Sequence, residues 1–314
     1  TRYLLFNVPL PAVVGNSAAA PAVNVAKMRN QGIDLQVINR GNLTSDLKYE
    51  LTVNNSFLKN EIVSFAPGIT NLIGGSFRGI VPVRMEVGRS LSAFYGYQVI
   101  GYFNSAAEVA SAPEQSGKGV GRFRYADING DGKTTPADRT YLGSPVPTYT
   151  GGINVGLTYR NFEFATYLYA SAGNKIWNQS KWFTDFFGTF EGSGKGERAK
   201  QSWTPELGNS AAAPIWESNS NMSTSGAANS WYVEDGDYLR IQNISLGYNI
   251  PKSYTSKLGI KRAKFTLSAN NILTFTKYKG LDPGVGGAAD TGFGIDVGNY
   301  PVTRSFNASI NLTF

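Results

Sequence analysis

Cysteine and histidine are both absent from the 314 residues. Without a thiol there can be no disulfide, thiolate catalysis or Cys metal site. Without an imidazole there is no Ser-His-Asp triad, Cys-His pair or His-based zinc site. No enzymatic activity is expected. Charged side chains make up only 16% of the chain, and the net charge of +7 is spread without a basic run. It reads as loop and rim charge, so nucleic acid is not expected as a partner. No stretch approaches the ~20 consecutive apolar residues of a spanning helix, which leaves a β-barrel as the only way this chain could cross a membrane. An initiator Met and a signal peptide are also lacking. The chain opens in apparent mid-strand at Thr1 to Phe6 and is expected to be truncated or processed.

What is present points to strands. Gly 36, Tyr 17 and Phe 18 suit a β protein with many turns and an aromatic surface. In residues 304–314, Phe306, Ala308, Ile310, Leu312 and Phe314 alternate with Ser305, Asn307, Ser309, Asn311 and Thr313. At ~3.3 Å per residue and ~45° tilt, such a strand covers ~25 Å along a membrane normal, the height of a barrel's apolar band. Similar alternation recurs around Leu35, Leu51, Val155 and Leu267, and a phase slip between Ile241 and Ile244 reads as a β-bulge.

The pattern predicts about eight strands, near residues 1–10, 32–39, 47–65, 148–160, 162–170, 238–249, 261–275 and 304–314. Short connections at 40–46, 160–161 and 250–260 alternate with long ones at 11–31, 66–147, 171–237 and 276–303. Bacterial barrels share this asymmetry, with short periplasmic turns and long extracellular loops. The aromatic segment 90–103 is assigned to a folded loop, not to a further wall strand. The fold class expected is therefore all-β, a transmembrane antiparallel β-barrel or its C-terminal part in a bacterial outer membrane.

One motif carries specific chemistry. Asp127, Asn129, Asp131, Gly132, Lys133 and Asp138 match the calcium-loop pattern D-x-[DN]-x-[DN]-G with an acid at position twelve. Oxygens of Asp127, Asn129, Asp131 and Asp138 with the Lys133 carbonyl would coordinate a structural calcium ion. The competing reading is an Asx-turn loop whose side chains cap backbone N–H groups with no metal. All five Trp fall within 171–237. Trp177, Trp182 and Trp203 could contact a ligand or partner, or they could form the loop's own small core.

The run Tyr125 to Gly132, Asp138 to Gly143, Pro145 to Pro147 and Gly151 to Gly156 resembles the C-terminal region of SusC/RagA-like TonB-dependent transporters of Bacteroidetes. So do Met28 to Ile33, Asp237 to Tyr248, Asn270 to Leu273 with Tyr278 and Asp282-Pro283, and the terminal strand, all in the family's order. The resemblance implies about eight C-terminal strands of a barrel of about 22, with residues 1–314 forming part of one domain. The N-terminal plug and earlier strands would be missing. It further implies a TonB-dependent importer of oligosaccharides or peptides working with a SusD-like surface lipoprotein. TonB would act through the absent N-terminal part, outer-membrane lipid would surround the wall, and transporter–lipoprotein pairs could dimerise. Two other readings of the residues stay open: a complete small outer-membrane barrel with a structural or adhesive role, and a soluble calcium-binding β protein that recognises glycans.

Overall fold

The computed structural model describes residues 4–7, 22–190, 194–286 and 291–314. Eight strands build one antiparallel sheet: β1 (Leu4–Asn7), β2 (Ala22–Asn42), β3 (Leu47–Phe65), β4 (Tyr149–Tyr159), β5 (Phe162–Ala172), β6 (Tyr238–Asn249), β7 (Arg262–Thr276) and β8 (Ser305–Thr313). Each strand pairs with its neighbours in sequence, so the sheet is an up-and-down meander in the order β1 to β8. Among the described residues no helix is long and apolar enough to cross a membrane.

The register converts the alternation within each strand into two chemically distinct faces. Val37, Val53, Ile153, Leu168, Ile241 and Leu273 stand in one transverse row across β2 to β7. The adjacent row is Gln36, Asn54, Gly152, Tyr169, Arg240 and Thr274. Side chains of the two rows point to opposite faces, because the strand period is two. A one-residue slip in any strand would exchange them, so the apolar face itself enforces the register.

Aromatic residues bracket the apolar face. Tyr159, Phe162, Tyr248 and Phe265 share a row at the end with the short turns, and the Phe162 and Tyr248 rings lie 4.8 Å apart. At the other end Phe57 and Tyr149 pair with centroids 5.2 Å apart. From Tyr149 to Tyr159 the strand runs ~33 Å, or ~25 Å along the normal at ~40° tilt, which matches the separation of a barrel's two aromatic girdles.

The predicted bulge is found where the phase slips. The pairing of β6 with β5 shifts between Ile241 and Asn243, so Gln242 is the extra residue there, while on the other side Asn271 and Ile272 of β7 stand against Gln242 alone. The first long connection differs from expectation. Of segment 1–10 only Leu4–Asn7 is described, and 11–21 of the connection 11–31 lie outside the described residues. Residues 22–31 are strand, because β2 continues to pair with β3 as far as Ala26↔Phe65. Lys27, Arg29, Asn30 and Gln31 conceal this extension. It rises past the aromatic row, where neither face needs to be apolar and alternation is lost.

Segment 90–103 does form strands, at Phe94–Tyr97 and Val99–Tyr102, but they belong to small sheets separate from the wall. The three long connections 66–147, 171–237 and 276–303 gather at one end of the wall and share a single core. Met85, Phe94, Tyr97, Phe123 and Tyr125 from the first pack with Trp177, Phe186, Trp203 and Tyr232 from the second and Ile295 from the third.

Candidate functional site

Two features could act on another molecule: the polar face of the wall and the loop domain above it. Along the polar face, long side chains interlock in short hydrogen-bonded sets. Gln36 Nε2 donates to Asn54 Oδ1 at 2.7 Å, and Asn243 Nδ2 donates to Asn270 Oδ1 at 2.8 Å. Near the short turns, Glu163 accepts from Asn249 at 2.6 Å and pairs with Lys264. Tyr167, Tyr169 and Tyr238 add an aromatic stripe on the same face. This surface suits water or a polar solute and is unlike a packed protein core.

Arg240 joins wall to loops. Its Nη2 donates to Asp282 Oδ1 at 2.5 Å, its Nε donates to Thr274 Oγ1 at 2.9 Å, and its guanidinium lies 5.0 Å from the Tyr238 ring. Burial raises the Asp282 carboxyl, but the Gly284 N–H, Arg240 and the Val302 N–H outweigh it and hold the group below the usual carboxylate range. Sequence alternation places Arg240 on the polar face and says nothing of its partner.

The loop domain is tied across its three connections. The short strand Lys175–Asn178 pairs antiparallel with Val233–Asp235 and parallel with Ile295–Asp296, joining the second connection to the third. Arg122 of the first grips Glu217 of the second through bonds of 2.6 and 2.8 Å. Beneath these lies a buried ion pair, Lys181 Nζ to Glu234 Oε1 at 2.8 Å. Lys181 also donates to the Trp231 carbonyl at 2.5 Å and sits 4.6 Å from the Trp231 ring. Glu234 accepts from Asn178 Nδ2 at 3.2 Å and from the Lys279 N–H at 2.8 Å, so it reaches the third connection too. Burial lowers the Lys181 pKa, partly opposed by the Glu234 charge. Burial raises Glu234, but Lys181, the Lys279 N–H and Arg198 together outweigh this and hold it low. No local pattern in the sequence marks this pair.

The candidate contact residues Trp177 and Trp203 are corrected to core. Trp177 is fully buried, stacked on Tyr232 at 4.9 Å with its Nε1 donating to Gln179 Oε1 at 2.9 Å. Trp203 is buried and donates to Asn104 Oδ1 at 3.1 Å. Trp182 is partly buried against the core and stands edge-on to Phe183, with the Arg78 guanidinium 5.6 Å from its ring. These rings are occupied because the three connections pool their apolar residues. The core expected within one loop is common to all three.

In the loop 127–138, the oxygens singled out for calcium accept hydrogen bonds from the chain itself. Asp127 accepts from the N–H groups of Gly130 and Gly132, both at 2.8 Å. Asn129 Oδ1 accepts from Asp131 N–H at 3.0 Å, and Asp131 Oδ1 from Lys133 N–H at 2.9 Å. Asp138 is buried and accepts from Ile128 N–H at 2.9 Å and Thr135 N–H at 2.8 Å. Gly130 and Gly132 sit at φ of 72° and 80°, where a side chain would be strained. Among the described residues no group of three or more acidic side chains is placed to hold a metal ion. The loop thus has the hydrogen bonds of consecutive Asx-turns.

Chelation separates the two readings. Asp127→Ala combined with Asp131→Ala should speed protease cleavage within 120–140 on either reading, and wild-type cleavage unchanged by chelator would leave the Asx-turns standing. Cleavage that rises only on chelation would assign calcium to the loop. Acid provides a second check on Asp138, whose carboxyl burial raises but whose backbone donors Thr135, Asn129 and Ile128 hold below its ordinary value. Its contribution is complete above the unfolded value of about 3.9 and is lost as pH falls through the lower folded value.

The fold and its two surfaces define a class: an antiparallel barrel wall, apolar outside and polar inside, crowned at one end by a fused loop domain. No protein-family model matches the chain. TonB-dependent receptor P3 of Formosa agariphila is 30% identical over 327 residues, covering all of this chain and 31% of the receptor. TonB-dependent receptor SusC of Bacteroides thetaiotaomicron is 26% identical over 325 residues, covering all of this chain and 29% of SusC. The solved RagAB peptide transporter superposes with a TM-score of 0.77 at 22% identity, over 99% of this chain and 32% of that one. Over its whole length the chain is similar to SusC-type TonB-dependent receptors and shares the fold of the matching part of the RagAB transporter, and it spans about a third of the length of the curated relatives it matches.

Proposed function

We propose that the chain forms part of the wall and the outer loop domain of a bacterial outer-membrane importer of large nutrients, either oligosaccharides or peptides. The apolar face meets lipid, the polar face lines the lumen, and the short turns face the periplasm. The observation that carries this reading is the separation of apolar and polar rows across the sheet. In this reading no bond is made or broken by the chain. A SusD-like lipoprotein covers the loop domain, transporter–lipoprotein pairs dimerise, and TonB acts on parts of the receptor outside these residues.

Deleting the gene should abolish growth on the oligosaccharide or peptide it serves and leave growth on the corresponding monomers unchanged. The product should fractionate with the outer membrane. Recovery in the soluble fraction without detergent would overturn the barrel reading. Unimpaired growth on every polymeric source tested would overturn import.

A further inference from the structure

On the polar face, between β2 and β5, lies an open groove of about 430 Å³, within the size range of small-molecule sites. None of these four strands is at an edge of the sheet. Its floor is glycine. A Cβ at Gly152 would come within 2.6 Å of the Tyr167 hydroxyl and 2.9 Å of its Cε2, so the absence of a side chain lets the Tyr167 ring lie down against the wall. Tyr169 flanks it, directly across from Gly152. On the opposite bank the Gln36–Asn54 amide pair uses one donor and one acceptor on itself, and its remaining amide groups are directed to the same space as Asp34 and Ser56.

Resting on the importer reading, we propose that this shelf binds one ring of a neutral oligosaccharide in transit, with Tyr167 as a specificity-determining residue. A flat aromatic ring offers contact area at low entropic cost, and the amide and hydroxyl groups beside it can both donate and accept. Hydroxyl groups of a sugar need that mixture. A peptide held by strand addition would need an open sheet edge, and here the backbone of all four strands is already paired on both sides. Asp34 is the one charged side chain lining the groove, so neither an anionic chain nor a phosphate is matched.

The test uses the full-length receptor, purified and titrated with neutral glucan hexamers and, separately, with a mixed pool of tryptic peptides. Tyr167→Ala should weaken glucan binding by about tenfold, and Tyr167→Phe should stay within about twofold of wild type, since the ring carries the contact. Gly152→Ala should weaken binding by displacing the ring. Unchanged heat-modifiable gel mobility would show that each variant still forms a barrel. Tyr167→Cys, in a segment with no other cysteine, should react with a small maleimide and be protected by the glucan. Undiminished glucan binding by Tyr167→Ala, an effect on peptides alone, or a Tyr167→Cys thiol closed to reagent would overturn the shelf and leave import standing. A receptor that binds neither pool and whose deletion causes no growth defect would overturn import itself.

Discussion

Glu234→Gln should destabilise the loop domain by roughly 3–5 kcal/mol, the usual cost of stranding one partner of a buried ion pair. Lys181 is buried and would lose the charge that offsets its desolvation. The exchange is nearly isosteric, so the loss would be electrostatic and not a packing defect. Hydrogen exchange should show faster opening of Lys175–Asn178 and Val233–Asp235, while the wall strands keep their protection. The pH dependence provides an independent signature. Without Glu234 the folded-state pKa of Lys181 falls further below its unfolded value of about 10.4, so the folded state binds fewer protons. Stability of the variant must then rise with pH through that window. Replacing both partners, Lys181→Met with Glu234→Leu, should recover most of the loss, because no buried charge is left unpaired. Equal instability in the single and double variants would show that the pair acts only by filling space.

Val155→Lys should cost ~2–4 kcal/mol of folding free energy in a bilayer, whereas Asn154→Lys, one residue away, should cost close to nothing. Val155 stands on the apolar face between Leu51 and Thr166, near the middle of the span from Tyr149 to Tyr159. Asn154 faces the other way, between Thr52 and Tyr167. A lysine at 155 would place its ammonium in hydrocarbon, too deep to reach either interface without thinning the bilayer. At 154 it enters the polar lumen. Reversible unfolding in lipid vesicles, read by tryptophan emission, would measure both. Equal costs at the two positions would contradict the assignment of faces.

The wall was largely legible because a half-buried strand repeats every two residues and its signal lies within its own segment. Residues 47–65, 149–159 and 305–313 could be read from Leu51, Val155 and Ile310 and their neighbours without knowing any partner strand. The bulge at Gln242 was visible for the same reason, since an extra residue shifts a local phase. Where β2 leaves the apolar band the signal stops, and residues 22–31 looked like a loop although they form strand.

The loop domain was not legible, because its stability comes from contacts between residues distant in the chain. Trp177 meets Ile295 and Phe94, and Glu234 answers Lys181 and the Lys279 N–H. No periodicity announces such meetings. The aspartate loop shows how the two levels differ within one motif. Its spacing fits a calcium ligand set, and in the folded chain those oxygens also accept hydrogen bonds from the chain's own N–H groups.

By itself the sequence determined the strands within the apolar band, their faces, the bulge and the alternation of short turns with long connections, because each depends on local period or local turn chemistry. Tertiary structure alone decided that three connections share one core, that Lys181 and Glu234 bury their charges against each other, and that Tyr167 lies flat over Gly152. Each of these depends on which distant backbone comes close enough to exclude water, and only the register of the assembled sheet sets that.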